Sequence, residues 1–404
     1  MSLRTKTWLG QTRILGDSRE FNALAHERLR FTILTAITLL KLFNLFGGIW
    51  DIQWHVAIGR DSLFIPPHLM VMAAFTSGSL LVIGMLAYET RLARSGVRLP
   101  GTVRLGWLAS PAAFYGILFG YGGALLSGGF DELWHRLFGI DATLWSPPHL
   151  FIMLFTMIVD YSLLIGLATS AKRLGWKFEW RNPFFWMIIL AGAYTFEAVN
   201  FQTGEAFLVG FRAHGTGILG LLFPILVGSI FPMSLLLIIK LTHRFWSVSL
   251  VFLTTLGLQY LGVSIAAAGF EIIRPVSVVE EYVRLYPAST TAVARLFASQ
   301  IGFHGLIGFE QAWTMFLSGV SFLFVSLLQL WPWARRIPLI AAPIYSASLV
   351  IVSFLWFQTI PALRAYPTTW ADVALGTIIA ITFGLIFGSI GLRLSTLAEK
   401  HEET

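Results

Sequence analysis

Two stretches of the chain carry the same order of potential metal ligands. Asp51-Ile52-Gln53-Trp54-His55 leads to Pro66-Pro67-His68-Leu69, and Asp131-Glu132-Leu133-Trp134-His135 leads to Pro147-Pro148-His149-Leu150. Each unit offers one carboxylate and two imidazoles. The chain has no cysteine, which removes thiolate ligation, disulfides and iron–sulfur chemistry and leaves a carboxylate and imidazole metal centre as the leading expectation. Asp51, His55, His68, Asp131, His135 and His149 are therefore the candidate ligands and the candidate catalytic residues.

The spacing suits such a centre. If Asp-x3-His continues a helix, its two polar side chains stand one turn apart on one face, and a histidine opening the next helix can meet them. Prolines are tolerated at a helix start, where the first amides lack partners, and they fix the direction of entry of His68 and His149. The repeat extends to Asp-x2-Trp-His-x3-Gly-x-Asp, at 51, 54, 55, 59 and 61 and again at 131, 134, 135, 139 and 141. Its last members, Asp61 and Asp141, suit turn or cap duty after the glycine, and otherwise ligation, support of a ligand or proton relay. The plainer reading makes Trp54 and Trp134 interface anchors, the aspartates caps and the histidines hydrogen-bonded groups at headgroup level. Against it, Asp, His and His in or beside hydrocarbon each need costly polar satisfaction that one divalent ion supplies to all three.

The elements that must position these residues follow from composition. With 56% apolar, 15% aromatic and 12% charged residues, the chain cannot make an ordinary soluble surface. Runs able to cross a hydrocarbon layer of about 30 Å fall near 31–50, 66–88, 105–130, 147–170, 183–201, 214–239, 245–270, 301–330, 337–360 and 371–392. The expectation is an all-α, polytopic bundle of about ten spans with a duplicated two-span metal-binding hairpin. It divides into an N-terminal segment 1–30, a metal-binding core 31–240, an additional bundle 241–392 and a tail 393–404.

Arginines and lysines fill the even-numbered connections: Arg91, Arg94, Arg98 and Arg104; Lys172, Arg173, Lys177 and Arg181; Lys240 and Arg244; Arg335 and Arg336. That bias makes these connections and both termini cytoplasmic and turns the repeats toward the periplasm of a bacterial inner membrane. No cleaved signal peptide is expected. Arginines of residues 1–30 are positioned to meet anionic lipid, and the net charge of +7 needs no nucleic acid.

Other polar residues interrupt the apolar second half: Glu197, Asn200, Gln202, Glu205, His214, Glu271, Gln300, His304, Glu310 and Gln311. Structural hydrogen bonding is the simpler account, and a proton route or auxiliary site the functional one. The stretch 274–300 reads as a cover over the outer face. Phe151, Met153, Phe155 and Met157 could line a site, though ordinary helix packing explains them more simply.

The pattern resembles the C subunit of the particulate, copper-dependent membrane monooxygenases, the methane and ammonia monooxygenase group. Asp51, His55 and His68 match that family's Asp-x3-His-x12-His arrangement, and Asp131, His135 and His149 align with its Asn-x3-His-x13-His arrangement. Asp131 stands where the family has asparagine, and the resemblance covers roughly residues 30–240. It implies copper, O2, a small apolar substrate or ammonia, an external electron donor, and membrane or periplasmic partner subunits.

On chemistry alone, two histidines and a carboxylate also suit non-haem iron. Copper is preferred through the resemblance, with iron second and zinc third, as two mononuclear sites or one converged dinuclear centre. A bis-histidine haem would leave both aspartates unexplained. The competing readings are a metal transporter or channel and a noncatalytic subunit whose metal stabilises a membrane oxidase.

Overall fold

A computed structural model describes residues 22–59, 62–138, 145–212, 217–289, 292, 295–296, 309–359, 364 and 367–400. In lipid the backbone must satisfy its own polar groups, and the apolar runs do so as helices. Among the described residues nine helices are long and apolar enough to cross a membrane. In chain order the α-helices are α1 (Ala23–Ala57), α2 (Pro66–Arg94), α3 (Ala112–Phe138), α4 (Pro147–Arg173), α5 (Pro183–Arg212), α6 (Leu222–Ile230), α7 (Pro232–Thr242), α8 (Ser247–Ile273), α9 (Val279–Leu285), α10 (Phe309–Leu327), α11 (Ala341–Phe357) and α12 (Trp370–Lys400). Pro232, without an amide hydrogen, divides α6 from α7 inside the single apolar stretch Gly217–Thr242.

Of the ten expected spans, the one at 301–330 lies partly outside the described residues, and its described helical part is α10, from Phe309 onward. The third span also starts later than expected. Residues Val103–Leu105 (β1) and Leu108–Ser110 (β2) form an antiparallel hairpin pairing Val103 with Ser110 and Leu105 with Leu108. Gly106, at φ 59°, opens its two-residue turn, a backbone angle glycine adopts without steric cost.

The hairpin takes part in a buried network at the end of the bundle that holds the start of α1. Arg30 is 1% exposed, so it does not meet lipid as the sequence suggested. Its Nε donates to Glu89 Oε1 at 2.5 Å, and its Nη1 donates to Glu27 Oε2 at 2.9 Å and to Pro100 O at 2.8 Å. Ser110 donates to the other Glu89 oxygen, His26 Nε2 lies 2.9 Å from Glu89 Oε1, and Ser170 Oγ donates to Glu27 Oε1 at 2.6 Å. The network ties α1, α2, the hairpin and α4 together, and each buried charge in it has a partner, as burial demands.

At its other end α1 is held by α8 and the segment that follows. Trp54, an interface anchor on the plainer reading of the sequence, is buried against Phe270 of α8, with ring centroids 6.0 Å apart. The last carbonyls of a helix lack intrahelical donors. Here Ser277 Oγ donates to Ala57 O at 2.7 Å, and Val278 N–H donates to Ile58 O at 2.8 Å. Over its described part the stretch 274–300 forms α9 and a strap before it, fastened to the helix that carries Asp51 and His55.

Close helix approach sets the second hairpin. On α3, Gly120 lies so near α4 that a Cβ there would stand 2.7 Å from the carbonyl oxygen of Phe155. Small residues permit such backbone approach where apolar surface alone gives membrane helices little reason to associate.

Candidate metal centres

Asp51 and His55 lie one turn apart near the end of α1, and His68 enters from the first turn of α2. His68 Nε2 is 3.1 Å and His55 Nε2 3.6 Å from Asp51 Oδ1. The second set repeats this on α3 and α4: His135 Nε2 is 3.3 Å from Asp131 Oδ2, and His149 Nε2 is 3.5 Å from Asp131 Oδ1. In each set one ligand atom from every residue lies within 4.8 Å of the others. Ligands about 2.0–2.2 Å from one ion, placed tetrahedrally, stand roughly 3.3–3.6 Å apart. The Asp-to-His separations, 3.1–3.6 Å, lie in or next to that range.

Both helices that present the incoming histidines start on Pro-Pro, with Pro66-Pro67 and Pro147-Pro148 in the first turn. The ring orientations are also held. His68 Nδ1 lies 3.0 Å from the Ser62 carbonyl, a bond the ring must donate, which leaves Nε2 with its lone pair. His149 Nδ1 is 3.1 Å from Ser146 Oγ. Such contacts fix which imidazole nitrogen faces a metal. Asp131 is 7% exposed, and the donor atoms of both sets sit near the ends of long apolar helices, where an unneutralised carboxylate is costly. Asp61 and Asp141 lie outside the described residues.

The two sets open onto one cavity of about 180 Å³. Asp51 and His68 line it from one hairpin, Asp131 and His149 from the other, and α5 closes the side with Tyr194, Glu197 and Phe201. At the inner end Lys41 Nζ pairs with Asp160 Oδ1 at 2.7 Å. Ten residues of helix separate Lys41 from Asp51, which puts the pair about 15 Å deeper along α1. Tyr194 donates to Thr38 O at 2.8 Å, and its ring centre lies 5.7 Å from Lys41 Nζ.

Of the aromatic and methionine residues considered for the lining, Met153 does line the cavity. Phe151 is exposed, Phe155 packs edge-on to Phe119, and Met157 is buried with its sulfur accepting from Gln202 Nε2 at 2.9 Å. Glu197 lines the cavity, Asn200 and Glu205 are buried, and Glu271 is exposed. His214, Gln300 and His304 lie outside the described residues, as do the side chains of Glu310 and Gln311. Lys41 and Asp160 escaped the sequence reading, although a lone charge inside an apolar run is a signal for such a site. Their partnership joins positions far apart in sequence.

These features define a polytopic membrane protein with two Asp and His clusters able to coordinate divalent metal ions. Comparison with family models, curated proteins and solved structures finds no match to this chain.

Proposed function

We propose that the chain is a subunit of a copper-dependent membrane monooxygenase that oxidises a small apolar substrate or ammonia with O2. The observation that carries the reading is the opening of two thiol-free Asp-His-His sets onto one largely apolar cavity. Asp51, His55 and His68 would hold one ion and Asp131, His135 and His149 the other. Copper held by these residues would supply one-electron redox chemistry toward O2. The chain's own contribution is to orient the imidazoles, through the Pro-Pro entries and the contacts of Ser62 and Ser146, and to present an apolar wall. Leu45, Ile52, Val71, Ile152 and Met153 form that wall, against which a small hydrocarbon can bind.

The repeated motif and the like geometry of α1–α2 and α3–α4 support a duplicated hairpin. The resemblance to the C subunit of the particulate monooxygenases supports copper, partner subunits and an external electron donor. The charge bias supports a bacterial inner membrane with both termini cytoplasmic and the metal sites outward. Retention of metal is favoured over transport because the carboxylate at the inner end of the cavity, Asp160, is already paired with Lys41 and offers a moving cation no free ligand.

Metal content and metal-edge X-ray absorption on the protein in native lipid test this reading. Asp51→Ala with His55→Ala is expected to remove one copper, and Asp131→Ala with His135→Ala the other. Wild-type protein that retains no redox metal in an intact, lipid-containing assembly would sink it.

A further inference from the structure

Glu197 sits in the middle of α5, 1% exposed, and lines the cavity onto which both ligand sets open. Neither of its carboxyl oxygens has a hydrogen-bond partner among the described residues. The titratable or charged groups that share the cavity are Lys41 and Asp51 on α1, His68 on α2, Asp131 on α3, His149 and Asp160 on α4, and Tyr194 on its own helix. Asp160 is neutralised by Lys41, each of the two aspartates at the sites is met by histidines, and Tyr194 bonds Thr38. Glu197 is left without such a counterpart. An ionised carboxylate so placed would bear its full desolvation cost, whereas the neutral acid carries a hydrogen that it can offer into the cavity.

We infer that Glu197 is held as the neutral acid and is the internal proton donor of the cavity. Oxygen insertion into a substrate RH obeys RH + O2 + 2 H⁺ + 2 e⁻ → ROH + H2O. A C–H bond breaks, a C–O bond forms, and the second oxygen atom leaves as water. The two electrons come from a membrane reductant of the hydroquinone class, and both protons must enter a cavity with mostly apolar walls. Glu197 supplies one of them and is reprotonated before the next turnover. The fate of the proton rests on the monooxygenase reading; its presence on Glu197 does not.

The experiment uses the full chain in native-lipid nanodiscs. Infrared difference spectra between metal-free and copper-loaded protein should show a protonated-carboxyl band that shifts in deuterated water. The band should vanish in Glu197→Gln and persist in Glu205→Gln, a second buried acid on the same helix. With copper stoichiometry unchanged, Glu197→Gln should lower turnover about a hundredfold and enlarge the solvent isotope effect, and Glu197→Asp should recover most of the rate. A carboxyl band indifferent to Glu197→Gln, or full turnover in that variant, overturns the inference. If wild-type protein shows no O2-dependent product, the monooxygenase reading fails, and the infrared comparison alone then decides whether Glu197 carries a proton that responds to the cavity's occupancy.

Discussion

Lys41 Nζ lies 2.7 Å from Asp160 Oδ1 between two apolar spans, with the side chains 2% and 1% exposed. Neither charge is tolerable there alone, so each fixes the position of the other's helix. Removing one partner from a buried pair costs about 3–5 kcal/mol, while an apolar or neutral replacement of both is often nearly neutral. Lys41→Met and Asp160→Asn are each expected to lower the unfolding midpoint in detergent strongly, and the double variant to recover most of the loss. Additive losses would show that the two side chains are not coupled.

Ser146 precedes α4 as its N-cap residue, yet its side chain makes no capping bond and contacts His149 Nδ1 instead. Ser146→Ala should therefore leave the helix intact and loosen the ring that faces the second site. Supporting contacts of this kind are worth about 10–100-fold in metal affinity. Chelator competition should show such a weakening at the second site and none at the first.

Gly120 is a point of close approach of α3 to the backbone of α4. Gly120→Val would force the two helices apart, at about 1–3 kcal/mol for overpacking. Because Asp131 and His149 lie on these two helices, metal binding at the second site should fall with stability, whereas Asp51, His55 and His68 should still bind. Loss of both ions together would indicate that the two sites fold as one unit.

Asp131→Asn recreates the neutral residue expected from the family resemblance at this position. Removing a negative charge from the donor set should weaken divalent ions at the second site while His135 and His149 still bind copper. Competition titrations with zinc and copper, run beside the first site as an internal reference, test this. An unchanged zinc affinity would mean that Asp131 does not contact the ion.

The two Asp-His-His clusters were legible in the sequence because their order is local. Asp-x3-His places two groups on one helical face, and Pro-Pro-His starts the next helix, so each triad is assembled by two adjacent helices and a short connection. Membrane embedding was legible too, since apolar runs of crossing length have few alternatives to helix. Residues 105–110 of the hairpin were misread because they are apolar enough to extend a span, and only the turn at Gly106 and the helix start after Pro111 separate them.

What the tertiary structure decided is everything that depends on which helices touch. Arg30 reads as a lipid-facing charge until Glu27, Glu89 and Pro100 are brought around it. Lys41 and Asp160 are isolated charges in two separate apolar runs until α1 meets α4. The convergence of both ligand sets and Glu197 on one cavity likewise requires five helices to pack together. Periodicity and spacing act within a helix or across one short connection, where covalent geometry limits the choices. Partners brought together by packing are selected by shape and by the cost of unpaired charge, and neither is written in the local order of residues.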